Sequence, residues 1–220
     1  MQNDEQRAVI TGGGGTLALE IATSLRMPGW QIETPPRNEL DVGDDKAVRR
    51  YFEHLPVDLL VCAAGLTRDA PLLRLDQQAW DETWAVNFNG AYSCAQAVLP
   101  SMIERGHGHI VFISSHSAKH PPVGQAAYAT AKAALLGLTA DLASRHGASN
   151  IRVNAVLPGF MDTRMTQNVT ESRRKEVLAD HSLGSLNTCR ETAAFIRFLH
   201  HELPHTSGQV FQLDSRAVFP

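Results

Sequence analysis

Tyr128 and Lys132 stand four residues apart in Tyr128-Ala-Thr-Ala-Lys132. On a helix that separation places both side chains on one face. A free phenol titrates near pH ~10 and is a poor proton donor or acceptor near neutrality. A neighbouring ammonium favours the phenolate and lowers that value, at about 1.4 kcal/mol per unit. The pair is therefore a sensible general acid–base for chemistry at a carbonyl or secondary alcohol. An isolated Tyr-x-x-x-Lys is far more often two surface residues one turn apart, so the spacing alone does not establish an activity.

The second chemical signal is Thr11-Gly12-Gly13-Gly14-Gly15-Thr16-Leu17-Ala18. Glycines between a strand and a helix let the backbone approach a pyrophosphate, and the helix N-terminus favours its charge. The run fits T-G-x-x-G-x-x-A through Gly12, Gly15 and Ala18, and fits G-x-G-x-x-G poorly at its last glycine. By itself it could be a flexible turn. Its position after a first strand favours dinucleotide binding.

The elements that must position these residues alternate along the chain. Strands are expected at Ala8–Thr11, Gln31–Thr34, Leu59–Ala63, His109–Ser114, Arg152–Leu157 and Gln209–Leu213. Helices are expected at Thr16–Arg26, Asp44–His54 with Asp44 as N-cap, Ala126–His146 and Arg190–His200. A long helical region, Asp76–Arg105, is interrupted near Asn87–Gly90. Nearly continuous apolar strands alternating with helices indicate a doubly wound parallel α/β sheet, three layers in one domain over residues 1–220. Only Pro35–Gly43 separates the second strand from the next helix. A strand–helix–strand unit does not fit there, so the crossover helix is expected to be missing and Leu40–Val42 to supply a stub of strand.

The bulk properties narrow the function. A chain of 220 residues holds one sizeable core, and its net charge of −3 offers no footprint for nucleic acid. No apolar run reaches the ~20 residues that span a bilayer, and the polar start lacks a signal-peptide pattern. Cys62, Cys94 and Cys189 are scattered without C-x-x-C spacing and read as incidental thiols in a reducing compartment. These readings make the cytoplasm the expected location, with neither nucleic acid nor membrane as a partner.

Taken together, these motifs resemble the short-chain dehydrogenase/reductase family over nearly the whole chain. Ser115 ends the strand HIVFISS thirteen residues before Tyr128, and Asn87 lies in VNFNG. Pro158-Gly159 follows VNAVL, and Thr206-Ser-Gly-Gln-Val-Phe matches the family's last strand. Within the family, GQAAYATAKAALLGLT looks most like bacterial 3-oxoacyl-(acyl-carrier-protein) reductase-like members.

The resemblance implies a Rossmann fold and NAD(P)(H)-dependent hydride transfer to a small carbonyl, which a carrier-bound acyl thioester would also supply. It assigns catalysis to Asn87, Ser115, Tyr128 and Lys132. Ser115 would hydrogen-bond the carbonyl, Tyr128 would give the proton, Lys132 would hold the ribose and depress the Tyr pKa, and Asn87 would anchor a water in a proton relay. Cofactor contacts are implied for Gly12, Gly14, Gly15, Thr16, Leu17, Arg37, Asp41, Val42, Ala63, Ala64, Gly65, Tyr128, Lys132, Pro158, Gly159, Met161 and Thr163. A homo-oligomer, dimer or tetramer, is implied by helices around Asn87–Arg105 and Ala126–His146. The same residues would serve an alcohol or polyol dehydrogenase running oxidatively. A non-catalytic dinucleotide sensor would be expected to lose Tyr128 or Lys132.

Two departures from the family pattern matter. Cys62-Ala63-Ala64-Gly65 stands where NNAG is common, which removes two side-chain amides. Ser215 and Arg216 stand where a D-G-G turn has its glycines, which leaves the C-terminal loop in question. Cofactor choice follows from the end of the second strand, where a carboxylate would accept from the NAD ribose hydroxyls. The matching position is Pro36–Arg37, so Arg37 is expected to favour the phosphate of NADP(H), with Glu33 and Glu39 as near competitors.

Other signals are set aside. His201-Glu202-Leu203-Pro204-His205 matches H-E-x-x-H, but Pro204 disrupts the helix that zinc ligation requires, and no metal is expected. His116 and His120 read as solvated loop residues near the substrate mouth. The sequon at Asn168 lacks a secretory route. Arg173-Arg174-Lys175 reads as the wet face of a lid helix within Met161–Ser182.

Overall fold

The computed structural model describes residues 5–217. One parallel sheet is built from β1 (Gln6–Ile10), β2 (Trp30–Glu33), β3 (Leu59–Cys62), β4 (Gly108–Ile113), β5 (Ile151–Leu157) and β6 (Val210–Gln212), in the order β2-β1-β3-β4-β5-β6. The chain steps outward from β1 to β2, then returns to the other side of β1 for β3. That reversal opens a crevice at the C-terminal ends of β1 and β3, the place where doubly wound sheets bind ligands.

The helices divide between the two faces. Helices α1 (Thr16–Leu25) and α7 (Cys189–His201) pack on one face, where Ile10, Ile21, Leu25, Leu59, Val111 and Ile196 are buried together. On the other face lie α2 (Asp45–Phe52), α4 (Gly90–Arg105) and α5 (Ala126–His146), joined to the sheet by Val9, Leu60, Phe112, Val98, Met102 and Leu135. Because both faces are covered, β3 is buried at every position, which accounts for its unbroken apolar run. Helix α3 (Gln77–Trp84) leads through a π turn, Ala85–Asn89, into α4, and α6 (Glu171–Ala179) stands over the crevice. Local signals set several boundaries: Asp44 accepts from the Lys46 N–H at 2.9 Å to open α2, and Thr188 with Glu191 forms a capping box for α7.

The segment after β2 differs in part from expectation. The crossover helix is absent, as expected, but Leu40–Val42 forms no strand. Turns connect Thr34 to Asp44, held by Glu39 and Leu40 N–H groups donating to the Pro36 carbonyl. Leu40 and Val42 are nevertheless buried against Val9 and Phe52, so hydrophobic burial alone retains them. Glu33, at the end of β2, accepts from Tyr51 Oη at 2.7 Å and pairs with Arg7 Nε at 3.0 Å.

Candidate active site and dinucleotide cleft

A cavity of about 1000 Å³ opens at the C-terminal ends of the strands. Every residue expected to contact a cofactor lines it, from Gly12, Gly14, Gly15, Thr16 and Leu17 through Arg37, Asp41, Val42, Ala63, Ala64 and Gly65 to Pro158, Gly159, Met161 and Thr163. Ser115, Tyr128 and Lys132 line it as well. Asn87 is nearly inaccessible and stands behind this wall.

The glycine loop has the shape of a phosphate cradle. Gly12 has φ +77°, and a Cβ there would lie 2.8 Å from the Ala64 Cα. At Gly13 a Cβ would lie 2.1 Å from the Thr34 carbonyl oxygen, a packing need that the sequence reading did not assign to this residue. A Cβ at Gly14 would meet nothing within 4 Å, so that residue faces open space. Gly15 caps α1 with no side chain, which leaves the first-turn N–H groups facing the cleft. These features fit a bound pyrophosphate. The missing amides of the Cys62–Gly65 segment are compensated locally: the Thr11 hydroxyl accepts from the Ala63 and Ala64 N–H groups, each at 3.1 Å.

The catalytic candidates come from three elements. Ser115 follows β4 in extended conformation, and its Oγ accepts from the Ser117 N–H at 3.1 Å, so the hydroxyl proton remains available. Tyr128 and Lys132 share one face of α5, with Lys132 Nζ 5.8 Å from the Tyr128 ring centroid. Lys132 Nζ donates to the Ile113 carbonyl at 2.8 Å, and the neighbouring Ser114 Oγ donates to the Lys132 carbonyl at 2.8 Å, tying α5 to β4. Burial pushes the Lys132 ammonium down to about 8. Burial also pushes the Tyr128 phenol up, with the Ser115 hydroxyl pulling the other way. The expected depression of the Tyr128 pKa is therefore not found, because desolvation dominates at the phenol.

Asn87 sits in the π turn, a helix distortion that recurs at functional sites. Its Nδ2 donates to Leu66 O at 2.7 Å and to Thr83 O at 2.8 Å, a carbonyl that the Asn87 backbone N–H would take in an unbroken α-helix. Its Oδ1 is buried without a partner. A Cβ on Gly65 would be 3.0 Å from that Oδ1 and 3.7 Å from Lys132 Nζ, so a side chain at residue 65 would crowd both.

Other expectations are refined here. Arg37 is exposed at the cavity rim and pairs with Asp41 at 3.0 Å, while Glu33 is held by Tyr51 and Arg7 and does not line the cavity. His116 and His120 lie at the cavity, stacked with ring centroids 4.7 Å apart. His116 is half-buried: its Nδ1 is buried without a partner among the described residues, and burial with the Arg216 charge pushes it down to about 4. Arg216 also lines the cavity, although the sequence offered no motif for it. Helix α6 does form, with Arg173 bonded to Glu176 and Arg174 to Asp162. Among the described residues no group of three or more His, Cys, Asp or Glu could hold a metal, and the H-E-x-x-H segment leaves helix α7 at His201. The three cysteines are free and buried, and no described helix is long and apolar enough to cross a membrane.

The chain belongs to the short-chain dehydrogenase family, whose model matches residues 37–174. It is a short-chain NAD(P)-dependent oxidoreductase. It is 37% identical over 190 residues to a 3-oxoacyl-(acyl-carrier-protein) reductase of Thermotoga maritima, covering 86% of this chain and 76% of that one. It is 34% identical over 199 residues to a (3R)-3-hydroxyacyl-CoA dehydrogenase of Mus musculus, covering 86% and 77% respectively. Among solved structures, that of gox2181 superposes with a TM-score of 0.88 over 96% of this chain and 95% of that one, at 23% identity, a likeness of fold.

Proposed function

We propose that this enzyme reduces a small carbonyl of the 3-oxoacyl class, thioester-bound or free, with NADPH favoured over NADH and Tyr128 as general acid. The observation that carries this reading is the meeting of Ser115, Tyr128 and Lys132 on one wall of the same cavity as the glycine loop. The relatives named for 3-oxoacyl and 3-hydroxyacyl substrates support that substrate class.

The bound cofactor supplies the hydride. Ser115 donates a hydrogen bond from its hydroxyl to the carbonyl oxygen, keeping its proton, and so favours the developing negative charge. Tyr128, kept protonated by burial, gives its proton to that oxygen. Lys132, close to the phenol face, favours the phenolate left behind and holds the ribose hydroxyls. The unpartnered Asn87 Oδ1 accepts from a water that returns the proton. With Glu33 engaged away from the cavity, Arg37 is the charged side chain at the rim suited to an adenosine 2′-phosphate, and it must exchange Asp41 for that contact. We place the enzyme in the cytoplasm as a dimer or tetramer, supported by exposed Tyr92 and Ile103 on α4.

The test is kcat/KM for acetoacetyl thioesters and simple 3-oxoesters with both cofactors, and for the matching 3-hydroxy compounds in reverse. The reading expects reduction of 3-oxo compounds with NADPH at least tenfold better than NADH. Turnover confined to polyols, or a preference for NADH, would overturn it.

A further inference from the structure

We propose that His116 and Arg216 form a recognition site for a carboxylate carried by the substrate, placed beside the reacting carbonyl at Ser115. The inference rests on the reductase reading above and specifies the kind of substrate.

Arg216 lies in the short segment after β6. One edge of its guanidinium is committed: Nε donates to Asp214 Oδ2 at 2.7 Å, and Nη2 bonds the same oxygen. The Asp214 side chain is wholly buried and also accepts from Gln212 Nε2 at 2.7 Å. Gly159, with φ +82°, makes room for it, since a Cβ there would lie 2.6 Å from the Asp214 Cβ. The segment is tied down from the lid side as well, because the Ser182 N–H and Oγ both donate to the Ser215 carbonyl. Arg216 is thus held in one orientation by a buried carboxylate.

The other edge is free. Among the described residues Nη1 makes no hydrogen bond, and Arg216 lines the cavity with its side chain 12% exposed. His116 directly follows Ser115, and its Nδ1 is buried, unpartnered and at the cavity. Burial first, and the Arg216 charge second, disfavour the imidazolium, so His116 is neutral and offers one N–H. Stacking on His120 limits how its ring can turn. A guanidinium edge and an imidazole nitrogen, both without partners among the described residues, therefore line the same cavity.

A carboxylate suits this pair better than a neutral carbonyl. It accepts two parallel N–H bonds from a guanidinium edge, and charge-assisted bonds are roughly twice as strong as neutral ones. Asp214 offsets the guanidinium charge, and Asp180 also acts on His116, so recognition here is short-range bonding rather than long-range steering. Of the other charged groups at the cavity, Asp69 already accepts from Gln125, Arg173 is paired with Glu176 and Arg37 with Asp41, while Arg164 is exposed and held in no fixed orientation by any hydrogen bond among the described residues. The carboxylate has two possible sources: the acid group of a free 3-oxo acid, or a terminal carboxylate on an otherwise esterified acyl chain.

Matched acid and ester pairs distinguish these sources. With NADPH, kcat/KM is measured for acetoacetate against methyl acetoacetate, and for the 1-methyl ester of 3-oxoadipate, whose free acid lies at the far end of the chain, against dimethyl 3-oxoadipate. The wild type is expected to favour the acid at least tenfold in one pair, and that pair identifies the source. Arg216→Met should raise KM for the favoured acid at least tenfold and for its ester less than threefold, with partial rescue by Arg216→Lys. Acid and ester within threefold in both pairs, or equal losses on both in Arg216→Met, would overturn the site. Should Arg216→Met fail to fold, the wild-type preference and the Arg216→Lys profile decide the question. If the wild type turns over none of the four, acetoacetyl thioesters decide the reductase reading separately, and it fails if they are not reduced either. Calorimetric binding of 3-hydroxybutyrate against its methyl ester then decides the carboxylate site, which stands on a tenfold preference for the acid and falls without one.

Discussion

At the N-terminal end of the strands, Asp58 accepts from the Arg7 N–H at 2.6 Å, from Arg105 at 2.5 Å and from His107 at 2.8 Å, whereas at the C-terminal end Asn87 Oδ1 and His116 Nδ1 have no partner among the described residues. The lower network continues inward. Asn154 Oδ1 accepts from the Gln209 N–H, which orients its amide so that Nδ2 donates to Thr206 O and to His109 Nε2. His109 then donates from Nδ1 to His200 Nδ1 at 3.1 Å. Arg152 finishes the seal by donating to the Leu199, His200 and Leu203 carbonyls at the end of α7. Arg105 Nε and His201 Nε2 are left over there, as is Arg7 Nε apart from its ion pair with Glu33, but none of the three residues lines the cavity. Both ends bury polar groups in one sheet. One pairs them among themselves and so contributes stability, while the other leaves donors and acceptors open to a ligand.

Substitutions at the two ends should therefore separate activity from stability. The largest effect is expected for Tyr128→Phe, which removes the proton donor and keeps the ring. Turnover should fall by about 10²–10⁴-fold with cofactor affinity nearly unchanged, checked by steady-state kinetics and fluorescence titration. A variant retaining a third of wild-type turnover would exclude Tyr128 as the acid. Lys132→Met should lower turnover by a similar order and also weaken cofactor binding; normal cofactor affinity would remove its ribose role. At the other end, His109→Leu strands the Asn154 amide and the His200 acceptor. It should cost about 1–3 kcal/mol in urea unfolding, with kcat/KM within twofold of wild type. A loss of activity without a loss of stability would break the division between the two ends.

The same lower network predicts a pH dependence. Burial holds His109 well below its ordinary 6.5 and takes His200 down to about 3. The unfolded chain takes up protons below about 6.5 that the native state refuses, so stability is full above that pH and declines as pH falls toward 3. Melting temperature should drop by a few degrees per pH unit in this window, and His200→Gln should flatten the slope. An unchanged slope in that variant would show that His200 does not carry it. The smallest effect is expected for Arg37→Ala, because Arg37 is exposed and already paired with Asp41. A three- to tenfold fall in kcat/KM with NADPH and little change with NADH is expected, and equal falls would end its role in cofactor choice.

Much of the site was legible because it is written in local spacing. Four residues on one helix bring Tyr128 and Lys132 together wherever that helix lies, and a glycine run after a strand makes a cradle for the same local reason. Alternating apolar runs likewise define a covered parallel sheet, since period and length depend on neighbouring residues alone. The stub of strand expected at Leu40–Val42 failed because burial does not specify pairing: both residues reach the core from turns. The state of Tyr128 was equally out of reach, since it depends on how deeply packing buries the phenol and on the Ser115 hydroxyl beside it, which no local spacing reports. The tertiary structure alone brought Arg216 and His116, far apart in the chain, to the same cavity. Long-range packing of β6 against β5, with Asp214 seated against Gly159, fixes that meeting, and no pattern of nearby residues encodes it.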